Sequence, residues 1–290
     1  MSIILGVVGL MMGSFAGATV WRLRARQLRE DTAAGEKVSN AAKKQVSHIK
    51  TLSLSRDRSV CMHCGHQLQW YDLIPLFSWL SLGGKCRYCH ERIGGLESVI
   101  ELAMALFFVV SYLAWPQPLA EPLEVARLAL WLISGVGLAI LSLYDAKWFL
   151  LPNRVVFPLV GIGILNAIIV LIQNGFAFDT VLSILTACSI LSGLYYVIYV
   201  FSKHKWIGFG DVKLGLVLAL MLADWRLAAL ALFLANVIGT LVVLPLLLGG
   251  KVKRQTHIPF GPLLIAGWLI AGLFGQQILT WYLSLSLGVS

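Results

Sequence analysis

The chain has 290 residues, 58% hydrophobic and 13% charged, and a mean hydropathy of +0.81. Soluble globular domains carry about 45–50% apolar and about 25% charged residues, so this composition needs a bilayer and excludes an ordinary water-soluble enzyme or binding module. The formal net charge of +9 suits the basic cytoplasmic loops of a membrane protein rather than a nucleic-acid interface, and nucleic acid is not an expected partner.

A helix needs about 20 apolar residues to cross the hydrocarbon core. The first apolar run covers residues 2–21. No basic residue precedes it and arginines follow it, the reverse of a secretory signal peptide. This order predicts a retained helix with its N-terminus outside. Further runs cover roughly 97–115, 124–144, 154–172, 180–201, 211–222, 227–248 and 262–285, of which 211–222 is short. The expected fold is an all-α polytopic membrane protein with about eight transmembrane helices. Threading eight spans puts connections 22–96, 145–153, 202–210 and 249–261 inside. Those connections and their helix ends hold Arg22 to Arg92, Lys147, Arg154, Lys203, Lys205, Lys213, Lys251, Lys253 and Arg254, leaving Arg127 and Arg226 outside. Such a bias predicts cytoplasmic placement of these connections and external termini.

Residues 22–60 are polar and basic, with Arg22, Arg24, Arg26, Arg29, Lys37, Lys43, Lys44, Lys50, Arg56 and Arg58. Residues 21–30 are expected to continue the first helix into water. Residues 33–55, without apolar periodicity, read as a flexible loop whose charge lies against anionic membrane lipids.

Two cysteine pairs follow, Cys61-Met62-His63-Cys64 and Cys86-Arg87-Tyr88-Cys89, 21 residues apart. Each turn aims two thiolates at one centre, and two turns complete the tetrahedron of a closed, structural Zn²⁺ site. A disulfide reading conflicts with the reducing cytoplasm. His63, His66 and His90 are close enough in sequence to replace a thiolate, although four cysteines suffice. Trp70, Tyr71, Ile74, Phe77, Trp79 and Leu80 form an aromatic-apolar patch that either packs on the zinc knot or lies in the membrane interface. Cys188, in an apolar run, reads as a packing residue. The expected division is therefore 1–21, a first transmembrane helix; 22–95, a cytoplasmic basic loop and small zinc-binding domain; and 96–290, a transmembrane core.

Carboxylates within spans are costly and usually functional. Asp145 ends the third span, shortly before Leu151-Pro152-Asn153. Asp211 follows Gly208-Phe209-Gly210 and precedes Val212-Lys213-Leu214. At the same cytoplasmic depth on different helices, these two can meet, share one proton and activate water. Gly208 and Gly210 would let the backbone approach an extended peptide. The plainer alternative makes both ordinary helix-boundary residues, and Asp211 suits a helix N-terminus. Lys213 either biases the charge of Asp211 or marks topology. Glu101 shares a helix face with Glu97 and either lines the cavity or starts the second helix. Asn166 and Asn236 read as interhelical hydrogen-bond partners. Two other classes stay open at this level: a proton- or cation-coupled transporter using the same acids, and a zinc scaffold without chemistry.

Seven motifs, in order along nearly the whole chain, resemble one family. Gly208 to Leu214 is similar to the G-x-G-D-x-K-L signature of type IV prepilin peptidases, which are membrane aspartyl proteases. Gly13-Ser14-Phe15, the two cysteine pairs with Leu68 to Leu80 between them, Glu101, Asp145 with Leu151-Pro152-Asn153, and Pro259-Phe260-Gly261-Pro262 resemble the family's remaining motifs. The resemblance implies a bacterial inner-membrane enzyme with Asp145 and Asp211 catalytic, facing the cytoplasm. It would remove the basic leader of type IV prepilins or pseudopilins, with S-adenosylmethionine as cofactor if it also N-methylates the product. Departures from the pattern are Asn153 where relatives often have aspartate, Ala16-Gly17-Ala18 after the first motif, and the long basic segment before Cys61. No glycine-rich turn follows a strand pattern, which argues against a Rossmann-type methyltransferase module.

Overall fold

The computed structural model describes residues 1–49, 59–250 and 258–287. The predicted basic positions Lys50, Arg56, Arg58, Lys251, Lys253 and Arg254, and with them parts of the predicted loop 33–55 and connection 249–261, lie outside the described residues. Among the described residues the protein is helical and has no strand, only two isolated β-bridges. It divides into two compact units, Met1–Val110 and Ser111–Ser290.

The first unit begins with α1 (Ser2–Ala33), which runs through the apolar stretch and on into the basic segment as expected. The next segment departs from the expected loop. Ser39 caps a short helix, α2 (Asn40–Gln45), its side chain accepting the Ala42 N–H. Val46 and Ile49 fold back onto Ala25 and Leu28 of α1, with Val38, Ala42 and Trp21 around them. The missed signal is the spacing of Val38, Ala42, Val46 and Ile49, which is helical but sparse among charges. The Arg29 guanidinium donates to the Ile49 carbonyl and holds the return. The chain then passes α3 (Phe77–Ser81) and enters α4 (Leu96–Leu113).

Glycines decide how α1 meets α4. A Cβ at Gly9 would lie 2.6 Å from the Met104 carbonyl oxygen, and one at Gly13 would lie 2.5 Å from the Glu101 Cα. Four residues apart on one face, these glycines let two backbones touch, the usual device for packing helices in lipid.

The second unit holds α5 (Pro122–Trp148), α6 (Asn153–Gln173), α7 (Phe178–Cys188), α8 (Leu194–Phe201), α9 (Phe209–Leu222), α10 (Trp225–Leu248) and α11 (Gly261–Leu287). A π-helical turn, Ser189–Gly193, joins α7 to α8 so that 178–201 forms one continuous rod. Among the described residues, seven helices are long and apolar enough to cross a membrane: α1, α4, α5, α6, the 178–201 rod, α10 and α11. The eighth predicted run is the 14-residue α9, about 21 Å long at 1.5 Å per residue and short of the bilayer core. Its length is tolerated because it is the central helix of the unit. Val212, Leu214, Gly215, Val217, Leu218, Ala219, Met221 and Leu222 are all buried, against α6, α7, α8, α10, α11 and the π turn. Wrapped by protein, α9 need not match the lipid.

Polar residues tie the far end of this unit together. Glu124 accepts from Arg127 Nη1 and Gln173 Nε2, both at 2.8 Å, and from Trp115 Nε1 at 3.1 Å. Asn166 Nδ2 donates to the Leu220 and Met221 carbonyls at 3.0 Å. It thereby satisfies the C-terminal carbonyls of α9 that the helix itself leaves open, the interhelical role expected of it. Asn236 instead donates to Leu232 of its own helix, because it faces outward on α10. Cys188 packs beside Ala167, Ile184 and Ala223.

Candidate functional site

The cysteine segment is built from two turns of the same form. In the first, Cys61 N–H donates to the His66 carbonyl at 2.9 Å and Gly65 N–H to the Cys61 carbonyl at 2.9 Å; in the second, Cys86 bonds Glu91 at 2.9 Å and His90 bonds Cys86 at 3.0 Å. The bridges Val60–Gln67 and Lys85–Arg92 close the two turns. The residue after each second cysteine takes a positive φ, 71° at Gly65 and 57° at His90. The four sulfur atoms lie within 4.8 Å of one another, and Cys61 Sγ is 3.9 Å from Cys89 Sγ. A tetrahedron with Zn–S of about 2.3 Å has edges of about 3.8 Å, close to the spacing of these sulfurs, so the four cysteines are placed to hold one Zn²⁺. Four thiolates leave no coordination position for water, which makes such a site structural. His66 stacks on Tyr88 at 3.6 Å and is engaged elsewhere.

Asp72 ties the aromatic segment to the second turn. Its carboxylate accepts from Arg87 Nε at 2.8 Å, Tyr88 Oη at 3.1 Å and the Gln69 N–H at 3.2 Å. Burial by itself would raise its pKa, but these three donors hold the carboxyl below the usual carboxylate range. Trp79 packs inward over Gly84 and donates to the Ile93 carbonyl at 3.4 Å. Trp70, Phe77 and Leu80 are exposed, so only part of the patch packs on the cysteine knot. Glu101, the sixth residue of α4, accepts the Leu76 N–H at 2.8 Å and a hydrogen bond from the Ser14 hydroxyl. This holds Leu76 at φ 58°, and it explains the Gly13-Ser14 pair: glycine for contact, serine for the carboxylate. Glu101 is thus engaged inside the first unit.

In the second unit, Asp145 lies three residues before the end of α5 and is buried. Phe149, left-handed at φ 55°, terminates the helix by donating its N–H to the Asp145 carbonyl at 2.8 Å. The Asp145 side chain accepts the Gly261 N–H at 3.0 Å. A Cβ at Gly261 would lie 2.8 Å from Asp145 Oδ2, so only glycine brings this amide to the carboxylate. Pro262 follows in the first turn of α11, where a missing N–H costs nothing.

Asp211 is the third residue of α9, with Gly208 as N-cap. Its carboxylate accepts the Gly208 N–H, half of a capping box, so the plainer helix-start role is also present. The two carboxylates are near enough to act on each other electrostatically. Each also faces the N–H groups of a helix start, α11 for Asp145 and α9 for Asp211. Gly210 receives the Leu151 side chain, which would meet a Cβ there at 3.1 Å; the Leu-Pro-Asn and Gly-x-Gly-Asp stretches therefore interlock. Lys213 Nζ donates to Asn153 Oδ1 and lies 5.0 Å from the Phe209 ring centroid. That is where the structure puts Lys213, on Asn153 rather than on Asp211. His204 stacks on Tyr199 at 4.2 Å, and His257 lies outside the described residues.

Comparison with known proteins finds relatives over nearly the whole chain. Residues 7–115 match the profile described as the bacterial peptidase A24 N-terminal domain, and residues 131–244 that of the type IV leader peptidase family. A prepilin leader peptidase/N-methyltransferase of Stutzerimonas stutzeri is 31% identical over 285 residues, covering 96% of this chain and 92% of the relative. The protein of the same name from Pseudomonas aeruginosa is 32% identical over 285 residues, covering 96% and 91%. That of Aeromonas hydrophila is 33% identical over 278 residues, covering 95% and 91%. No solved structure matches.

Proposed function

The chain belongs to the type IV leader peptidase family, and we propose that it cleaves the basic leader from type IV prepilins or pseudopilins, using Asp145 and Asp211 to activate water. The observation that carries this reading is that two carboxylates from α5 and α9 lie near enough to act on each other, each accepting the backbone N–H of a glycine. Two carboxylates at short range hold one proton between them. The ionised one takes a proton from water as the oxygen attacks the scissile carbonyl carbon; the protonated one gives its proton to the carbonyl oxygen. Collapse breaks the C–N bond, and the leaving nitrogen is protonated from the pair. Gly208 and Gly210 keep the chain before α9 open to an extended peptide, and Lys213, fixed by Asn153, lines the approach.

The relatives' name adds a second step, and we extend it to this chain: a methyl group passes from S-adenosylmethionine to the new N-terminal amine. A strand-borne glycine loop for that donor is not found among the described residues, so the donor would be held by a helical or loop surface. Incubating the purified protein with a prepilin and S-adenosylmethionine and weighing the product reads both steps. Loss of the leader with a further gain of one methyl is expected; an uncut prepilin under conditions where the protein stays folded overturns the assignment.

The seven spans make this a multi-pass membrane protein, and its relatives are bacterial. In the proposed orientation the site faces the cytoplasm of the inner membrane, supported by the basic residues that flank it. A cysteine reporter at Gln45, compared with the parent that keeps only its native cysteines, should add label only after the membrane is opened. Labelling from the external side of intact cells would reverse the orientation.

A further inference from the structure

We infer that Tyr195 is a third catalytic group of the peptidase site, its phenol O–H donating a hydrogen bond to the scissile carbonyl oxygen as that carbon becomes tetrahedral. This rests on the aspartate-pair reading above. Tyr195 is 4% exposed, and its Oη is buried with no hydrogen-bond partner among the described residues. Buried hydroxyls almost always find a partner, and an exception calls for an explanation. Here it is a donor held ready for a group that arrives with the substrate.

Its placement is determined by backbone contacts. Tyr195 is the second residue of α8, immediately after the π turn Ser189–Gly193, and single π turns inside helices recur at functional sites. The turn is locked to α9: a Cβ at Gly215 would lie 2.0 Å from the Leu191 carbonyl oxygen, and Ser192 Oγ donates to the Val212 carbonyl at 2.9 Å. Val212 directly follows Asp211, so the register of Tyr195 against Asp211 is tied to main-chain atoms. On its other side the ring sits edge-on to Phe260, centroids 5.6 Å apart, and Gly261, the next residue, holds Asp145. The ring thus touches the Phe260-Gly261 turn that holds Asp145, from a helix locked to the one that carries Asp211, and the charge of Asp211 reaches it. Two other buried groups without a described partner, Thr19 Oγ1 and Trp268 Nε1, lack these ties; Trp268 stacks on Trp131.

The chemistry balances without proton loss from the phenol. Water oxygen bonds to the carbonyl carbon, the π electrons move to the carbonyl oxygen, and the protonated aspartate supplies the proton. Tyr195 stabilises the charge in transit and keeps its own hydrogen.

Tyr195→Phe tests this by removing one oxygen. Loss of a single donor to a developing oxyanion lowers kcat by about 10²–10³-fold, with KM for prepilin nearly unchanged. Because the hydroxyl is unpaired in the resting protein, the variant should unfold at the same temperature as the parent or higher. A kcat within about threefold of the parent, a change confined to KM, or a fall in Tm would each overturn the assignment, the last because it would give the hydroxyl a structural partner. Asp145→Asn and Asp211→Asn in the same assay separate the two readings: cleavage by either one removes the aspartate pair, whatever Tyr195→Phe does.

Discussion

Asp145→Asn and Asp211→Asn are each expected to cripple prepilin cleavage, a fall of about 10²–10⁴-fold, since removing either half of an acid–base pair takes away one proton transfer in the transition state. Both changes keep shape. The asparagine amide oxygen can still accept the Gly261 N–H in the first variant and can still cap α9 in the second, so the protein should stay folded and zinc-loaded. Single and double variants should be equally inactive, because groups that act as a unit lose everything on the first removal. Mass measurement of the pilin after incubation with each variant decides it. Near-normal cleavage by one variant removes that residue from the chemistry. Retention of ion flux by Asp→Glu variants that cut no peptide would favour a transporter instead.

The second large effect is expected from the cysteine cluster. Purified protein should carry about one Zn²⁺ per chain, as a closed four-thiolate site requires. The combined change Cys61→Ser, Cys64→Ser should lose it. Structural zinc sites contribute about 10–16 kcal/mol to folding of their segment, far more than a knot of this size gains from packing. Hydrogen exchange should therefore rise sharply across 59–95 while α5–α11 keep their protection, and prepilin cleavage should weaken through KM rather than vanish. Acid should loosen the same segment. The carboxyl of Asp72 sits below its usual range, so its contribution is present above the unfolded value of about 3.9 and is lost as pH falls through the folded one. Thiolate protonation releases zinc in the same direction. Full zinc occupancy in the double variant would remove the assignment.

Much of the protein was legible in its sequence, and for a physical reason. Lipid demands long apolar helices with every backbone group satisfied internally, so the seven spans among the described residues announce themselves as runs. The paired cysteine turns are equally local: each is a six-residue loop whose hydrogen bonds close on themselves, and their spacing alone suggests one metal centre. The aspartates stood out because a carboxylate at the end of an apolar run is rare. Legibility failed where the deciding contacts are distant. Val38, Ala42, Val46 and Ile49 looked like a loop because their partners lie on α1. The shortness of α9 looked like a doubtful span because its enclosure by six neighbouring elements is not written in residues 209–222. Only the tertiary structure puts Gly261 against Asp145, 116 residues away, commits Lys213 to Asn153 and Glu101 to Leu76, and reveals Tyr195 as a buried hydroxyl packed on Phe260, next to the glycine that holds Asp145. Apolar length and turn chemistry are properties of neighbours along the chain. The meeting of two carboxylates, and of the groups that serve them, depends on which glycines let helices close to contact, and that is settled only when the helices pack.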